Sequence, residues 1–568
     1  MSGGMNELDP LQNKFKVTDN LFSLIPSEGP VNFSSQQWRA LYLAKNLEIE
    51  CNQKILVVGA SISGATFALA LKQRIEREGL SKISIDVIEA QDKPFEHLAS
   101  AAHRHSHPTI NSWPFHLDTH PFSSTTAFPL LNWYADNVES IVEQMRSDPA
   151  MEAFNPQEIH NFSDQCTLNL HNNTKLARLT QDASKKWCPT VNVDGRLDNE
   201  NLSVPNQYNI VILASGFLLE KSTVLSMAGQ YWDADNIKNV RSGHQHYGGK
   251  EIRVYGTGDG ALIDFARLAS QQGNIPDNQE VNLALCFIAY CRLNKGRKLE
   301  PPTLADTKSE SPEPTLEDEI FKKSGDINSA VELVTNKIDT GNPIKSFFDS
   351  YIIKNTSRLE KLILCGKAET PYSETAAFAN QLLFALINWK KNTPNYEKKP
   401  FDLPKELNIA DYTEKLHYIR IGQNLNNKKN YDITDSNGNR IVDGKVAKGN
   451  INDVILSEDE LFNTFAAFDV QKHMALIKGY MARYFPECHV TLDLVEAPPE
   501  ETGDGSPKKP SDCKVSIHLK GEAANEDMQE VGKSLGGFDT VLFGSPIEYT
   551  ENFITPLDIH RALLETAA

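Results

Sequence analysis

The sequence predicts an α/β fold of two doubly wound units followed by an irregular α+β extension, and three observations predict it. The order apolar strand, glycine turn, helix begins at KILVVGASISG (54–64) and recurs at EIRVYGTGDGA (251–261). The helix-like ATFALALKQRIEREG behind the first turn leads into the alternating strand KISIDVIEA, which makes a βαβ opening. A length of 568 residues leaves room for about three or four structural units with sizeable cores.

Composition narrows the function classes. Lys and Arg number 57 against 75 Asp and Glu, a formal net charge of −18, so nucleic acid and anionic membrane surfaces are not expected partners. With 40% hydrophobic residues, a mean hydropathy of −0.41 and no 18-residue apolar run, a chain that folds in water is expected, and no membrane contact. The N-terminal MSGGMNELDPLQNKFK lacks the apolar stretch of a secretory signal, and a cytoplasmic location is the expectation. The eight cysteines (Cys51, Cys166, Cys188, Cys286, Cys291, Cys365, Cys488 and Cys513) form no CxxC pair, so reduced, structural thiols are expected rather than zinc or dithiol chemistry.

Taken in order, residues 1–50 read as an N-terminal arm whose QQWRALYLAKNLEIE has the spacing of a short amphipathic helix. Residues 51–235 read as the first nucleotide-sized unit, 236–350 as the second, 351–400 as a segment returning to the first, and 401–568 as the extension. The stretches 299–318 and 496–512, rich in Pro, Ser and acidic residues, read as mobile surface insertions through which a protein partner can bind. DSNGNRI and VDGKV carry hairpin-favouring NG and DG turns. DSNGNR does not meet the calcium-loop pattern, because its glycine follows Asp435 by three residues and no glutamate stands at the required place. FDTVLF (538–543) reads as a late core strand or one rejoining a nucleotide unit.

The first glycine turn, Gly59, Ala60, Ser61, Ile62, Ser63 and Gly64, follows a strand and opens a helix, the context in which GxGxxG holds a pyrophosphate on helix N–H groups. Serine at the middle glycine position narrows the approach and offers a hydroxyl. Glu89 ends the next strand, where a carboxylate accepts hydrogen bonds from an adenosine ribose. Tyr208–Phe217, YNIVILASGF, is an apolar strand ending in Ala214, Ser215 and Gly216. That ending resembles the ATG strand that runs beneath the cofactor in FAD-dependent oxidoreductases.

With these motifs the chain resembles flavoproteins with two dinucleotide-binding domains, of the class B flavin monooxygenase kind, over roughly residues 50–390. The resemblance implies two Rossmann-like domains, FAD at the first turn and, through the GxGxxA form of Gly256, Gly258 and Ala261, NAD(P)H at the second. Arg292, behind the strand-like VNLALCFIAY, is placed to meet a 2′-phosphate, which favours NADPH. Asp259 opposes this, since it puts a carboxylate where the pyrophosphate would lie and can itself cap the helix. SGHQHYGG (242–249) is similar in position to the glycine and histidine signature of that class, and reads equally as a polar loop.

Between Glu89 and the next helix, HRHSHPTINSWPFHLDTH holds His103, His105, His107, His116 and His120. H-x-H-x-H is not a zinc spacing, so no metal is expected. In the flavoprotein reading Trp113 walls the flavin, and His105 or His107 donates a hydrogen bond or shuttles a proton as a catalytic residue. In the other reading these histidines satisfy local hydrogen bonds. The function expected is an FAD-dependent oxidoreductase in which NADPH reduces the flavin for work on a small organic substrate or oxygen. A non-catalytic nucleotide-binding sensor and a nicotinamide-independent oxidase stand as alternatives. Gly59→Val is expected to empty the flavin site without unfolding the chain.

Overall fold

The architecture is that of a computed structural model, which describes residues 15–24, 32–106, 108, 125–126, 128–154, 166–193, 196–198, 207–215, 231–232, 237, 250–269, 361–367, 369–373, 376, 380–381, 384–385, 387–388, 396–398, 415–419, 432–439, 456–466, 469–484, 489–496 and 514–520. The chain opens with β1 (Lys16–Thr18), β2 (Leu21–Ser23) and helix α1 (Phe33–Asn46), followed by β3 (Lys54–Val58), α2 (Ile62–Glu78) and β4 (Ile83–Ile88). Next come the short helix α3 (Glu96–Ala99), β5 (His105–Ser106), β6 (Asp136–Asn137), α4 (Val138–Arg146) and a 3-10 turn at Pro149–Phe154. Then follow β7 (Cys166–His171), β8 (Thr174–Gln181), β9 (Trp187–Val193), β10 (Arg196–Asp198) and β11 (Ile210–Leu213).

The second half holds β12 (Glu251–Tyr255), α5 (Asp259–Ala269), β13 (Leu362–Gly366), β14 (Tyr396–Lys398), β15 (Lys415–Ile419) and β16 (Asp432–Thr434). Helices α6 (Glu458–Thr464) and α7 (Val470–Tyr484) precede the antiparallel pair β17 (His489–Glu496) and β18 (Lys514–Lys520).

The first sheet runs β1-β2-β11-β3-β4-β7, with every pair parallel except β1 with β2. A strand buried on both faces needs apolar residues at successive positions, which KILVV and IVIL supply. Ile55, Val57, Ile85 and Val87 face one side and pack with Leu41, Phe67, Leu71 and Ile75 of helices α1 and α2. Leu56, Val58, Val211 and Leu213 face the other, against Leu176, Leu179, Trp187 and Val191 of the hairpin β8–β9. The one acid inside β4, Asp86, is buried on this side and is satisfied by Asn169 Nδ2 (3.0 Å), Ser84 Oγ (3.3 Å) and His171 Nε2 (3.1 Å).

From Lys54 onward the strands lie in the order third, second, first, fourth (β7, β4, β3, β11). The connections therefore change direction between β3 and β11, a topological switch point that opens a crevice at the carboxyl ends of those strands.

The described part of the second sheet, β14-β13-β12-β15, is all parallel and repeats that order around β12. An α/β architecture of parallel sheets is thus observed. Three expectations are corrected. The described residues 15–24 and 32–50 do not form a separate arm, since β2 pairs with β11 inside the sheet and α1 is buried against α2. Within 351–400, β13 and β14 do not return to the first unit: β13 pairs with β12, held where a side chain at Gly366 would collide with Thr257 Cγ2 at 2.5 Å. The extension is also more regular than expected, because Leu461, Phe462 and Phe465 join the first core and Arg77 Nη1 donates to the carbonyls of Phe462 and Phe465 at 3.0 and 2.6 Å. Around DSNGNR, β16 lies parallel to β8 and ends in a turn in which the Asp435 carboxylate accepts from the backbone N–H groups of Asn437 and Asn439. The stretches 299–318, 497–512 and 538–543 lie outside the described residues.

Candidate functional site

The crevice between β3 and β11 is built by backbones that leave no room for side chains. Gly59 follows β3 at φ +105°, a conformation few L-residues tolerate, and a Cβ there would stand 2.6 Å from the carbonyl oxygen of Ala214 and 2.9 Å from Ser215 Cα. Gly64, in the first turn of α2, would place a Cβ 1.9 Å from Gly59 O and 3.1 Å from Ala214 Cβ. Gly59 N–H is tied to Ile88 O and Ala214 N–H to Val58 O, both at 2.8 Å, so neither strand end is free to give way. This corrects one expectation: valine at Gly59 would strain the fold itself and not only a ligand.

Helix α2 presents a fitting N-terminus. Ser61 takes the extended N-cap conformation but its side chain caps no amide, and the first turn carries no acidic residue. The leading N–H groups and the positive end of a helix 17 residues long are therefore not consumed by the N-cap hydroxyl or by a first-turn carboxylate. Ala60, Ser61, Ile62 and Ser63 are all buried.

Glu89 closes the site on the β4 side. Its Oε2 accepts from Ala60 N–H at 2.7 Å and its Oε1 from Gln91 N–H at 2.9 Å, while its own backbone is bound to His171 O and Thr174 N–H. Phe95 N–H returns to Ala60 O at 3.3 Å. The carboxylate is thereby fixed beside the glycine turn, and with the Ala90 amide also drawn to it about one of its roughly four lone-pair directions remains for a further donor. Burial is the larger influence on its acidity and raises the pKa above the ordinary carboxylate value, against the opposing pull of the amides of Ala60, Gln91 and Ala90.

The sign of that shift gives a prediction. A carboxyl whose folded-state pKa is raised contributes stability below its unfolded pKa and loses it as pH rises through the folded value. Glu89→Gln, which stays neutral, should therefore match the wild type in acid and overtake it as pH climbs out of the ordinary carboxylate range. Melting curves of both proteins across that window check this, and parallel curves at all pH values would refute it.

The structure thus brings Gly59, Ala60, Ser61, Ile62, Ser63, Gly64, Glu89, Ala214 and Ser215 together. The diphosphate-and-ribose pattern of an adenine dinucleotide such as FAD fits these residues, since the close packing at Gly59 and Gly64 sets a helix start that its N-cap side chain leaves uncapped beside the end of β11, and Glu89 is held against the same turn. Gly216 lies outside the described residues.

The second glycine turn is built differently. Gly256 has φ +128°, but a Cβ on Gly258 would meet only Ser373 Oγ, at 3.9 Å, so no close approach of the chain itself demands that glycine. Ser373 N–H donates to Thr257 O at 2.7 Å, so a later segment lies against the turn. Asp259 opens α5 and accepts from Asn380 Nδ2 at 2.8 Å, which keeps a carboxylate at the helix start, while Ala261 is fully buried. Arg292 lies outside the described residues.

Of the histidines in that segment, His103 and His105 are described, and the strand of His105, β5, pairs with β6 through Asn137. His107 and Trp113 lie outside the described residues. Within the segment, Arg104 reaches α5: its guanidinium is bound to Asp264, and its Nε donates to Tyr231 O at 2.8 Å. This link went unread in the sequence because its members stand 160 residues apart and neither sits in a motif. Among the described residues no group of three His, Cys, Asp or Glu side chains is arranged to hold a metal, and no helix is long and apolar enough to cross a membrane.

No protein-family model matches the chain, and no curated protein matches it. Among solved structures the chain is similar to a polycyclic ketone monooxygenase from the thermophilic fungus Thermothelomyces thermophila, at 15% identity and a TM-score of 0.31 over 71% of each chain. A likeness of this size carries no argument about function.

Proposed function

We propose that the chain is an FAD-dependent oxidoreductase whose flavin nucleotide lies in the crevice between β3 and β11, with its diphosphate at the N-terminus of α2 and its adenosine ribose at Glu89. The observation that carries the reading is the start of α2, which the side chain of its N-cap Ser61 leaves uncapped and which the close packing of Gly59 and Gly64 sets against the end of β11. Such a helix start suits an anionic group approaching main-chain amides. The bound flavin supplies the redox chemistry, and the protein's part is to bind, orient and exclude water. His105 and His107 are proposed to donate hydrogen bonds or move a proton beside the reacting ring, and Trp113 to wall it. A small organic substrate, with oxygen as in a monooxygenase, and NADPH as reductant complete the proposal, with Gly256, Gly258, Ala261 and Arg292 as the reductant's site.

A second reading is favoured by one observation. Asp259 and Ser373 occupy the approach to the second glycine turn, an arrangement that suits a flavoprotein reduced by its substrate, or a nucleotide-binding sensor, as well as one reduced by NADPH. One experiment separates these. The absorbance spectrum of the freshly purified chain, with its extracted cofactor identified, is expected to show FAD, and anaerobic NADPH is expected to bleach it. A colourless protein that cannot be reconstituted overturns the flavin assignment, and a yellow protein inert to NADPH and NADH overturns only the reductant.

A further inference from the structure

Helix α1 carries two buried donor atoms with no acceptor among the described residues, Gln36 Nε2 and Arg39 Nη2. Three positions apart, they share one face of the helix. Arg39 is 3% exposed, and its contacts among the described residues are neutral: Nε donates to Leu24 O at 3.3 Å, and the guanidinium carbon stands 4.8 Å from the centre of the Phe15 ring. Burial lowers its pKa to about 10, yet that leaves it charged at neutral pH. An enclosed cation with no counter-charge among the described residues is a strongly unfavourable arrangement, and the arriving partner that relieves it is an anion.

The position says which anion. Leu24 N–H donates to Leu213 O at 2.8 Å, so the carbonyl that receives Arg39 stands at the carboxyl end of β11, one residue from the Ala214 that closes on Gly59. Across the sheet the order is β2, β11, β3, β4. Arg39 is therefore on the β2 side of the crevice and Glu89 on the β4 side. A nucleotide with its sugar at Glu89 and its diphosphate at α2 extends away from the adenosine toward Arg39. A planar guanidinium suits two phosphoryl oxygens, and an amide N–H on the same helix face adds a donor.

We propose that Arg39 and Gln36 form a buried anion-binding position that takes phosphoryl oxygens of the nucleotide on the side remote from its adenosine. This rests on the nucleotide reading of the crevice given above. It assigns binding to a helix that lies outside both glycine motifs.

The test uses the full chain freed of co-purifying nucleotide, with ADP, adenosine and inorganic pyrophosphate as probes in calorimetric titrations, and with Arg39→Met, Arg39→Lys and Gln36→Leu as variants. Arg39→Met is expected to melt at or above the wild-type temperature without ligand, because it removes an uncompensated charge. It should bind ADP and pyrophosphate about tenfold to a hundredfold more weakly while binding adenosine unchanged, the loss expected for a charged hydrogen bond. Arg39→Lys should recover part of that loss, and Gln36→Leu should show a smaller loss of the same kind. A ligand-free Arg39→Met that melts lower, with ADP affinity intact in all three variants, overturns the proposal and makes Arg39 a structural residue. Binding of adenosine by the wild type with no dependence on Arg39 or Gln36 defeats this inference but leaves the crevice reading standing. Binding of pyrophosphate but not adenosine, lost in Arg39→Met, supports the anion position and defeats the adenine nucleotide. A wild type that binds none of the three probes defeats both.

Discussion

Alanine at Gly64 is expected to lower stability by about 3 kcal/mol or more, at the upper end of what overpacking a well-filled interior costs. The methyl group would arrive 1.9 Å from Gly59 O and 3.1 Å from Ala214 Cβ. The first of these is backbone, and Gly59 is pinned by its N–H bond to Ile88 O and by a φ that leaves it little freedom. Relief would require α2 to back away from the sheet, which would unpack Phe67 and Leu71 from the first core. The same displacement moves the helix start away from any diphosphate, so flavin content should fall together with stability. Gly79, at the other end of α2, is the control: it has φ +68° and nothing within 4 Å of a Cβ, so alanine there carries only the left-handed backbone penalty of about 1–2 kcal/mol. Scanning calorimetry of the two variants, with the extracted cofactor quantified, is the measurement. A Gly64→Ala protein that melts no lower than Gly79→Ala would remove the close-packed crevice on which the flavin reading depends.

That crevice was legible in the sequence because everything that builds it is local or announces itself. KILVV is apolar at successive positions, Gly59 and Gly64 have the spacing of a turn that opens a helix, and Glu89 ends the next strand in line. The strand of Ala214 was readable from YNIVIL alone, although only the fold shows that its end presses on Gly59. What escaped is pairing between distant segments. Three-residue strands such as LFS at β2 are too short for any period to emerge, and their place in the sheet depends on β11, which comes far later in the chain. The hairpin β8–β9 reads TKLARLTQ and WCPTVNV, with single buried residues such as Leu176, Leu179 and Trp187 set among polar ones, a weak pattern that becomes half a core only when laid on the sheet. LILCG announced a strand but not its partner, which is decided by the fit of Gly366 against Thr257 and Tyr396. Arg39 looked like the polar side of an amphipathic helix, since a sequence cannot show that Phe15 and Leu24 enclose it.

Arg104→Met is expected to cost about 3–5 kcal/mol, the usual penalty for stranding one member of a buried ion pair. Arg104 is 1% exposed and Asp264 fully buried, so the carboxylate left behind has no water to turn to. A further contact, Arg267 Nη1 at 3.4 Å, meets one carboxylate oxygen and so does not replace a guanidinium that reaches both. The arginine loses as much: its face lies 3.9 Å from the centre of the Tyr231 ring and its Nε holds Tyr231 O, so one side chain joins the segment before β5 to the 231–232 turn and to α5. Because the cost comes from stranding and not from the strength of the pair, Arg104→Met combined with Asp264→Leu should recover most of the loss of either single change. A double-mutant cycle by chemical denaturation is expected to return a coupling of roughly 3 kcal/mol. Additive losses would mean that the two side chains act separately and that the seam between the sheets is held elsewhere. If the cycle closes as expected, an apolar pair would serve stability as well, and the ionic pair is then retained for geometry: a forked guanidinium accepts a carboxylate in few orientations, which fixes α5, and the second glycine turn at its head, relative to the segment that carries His105.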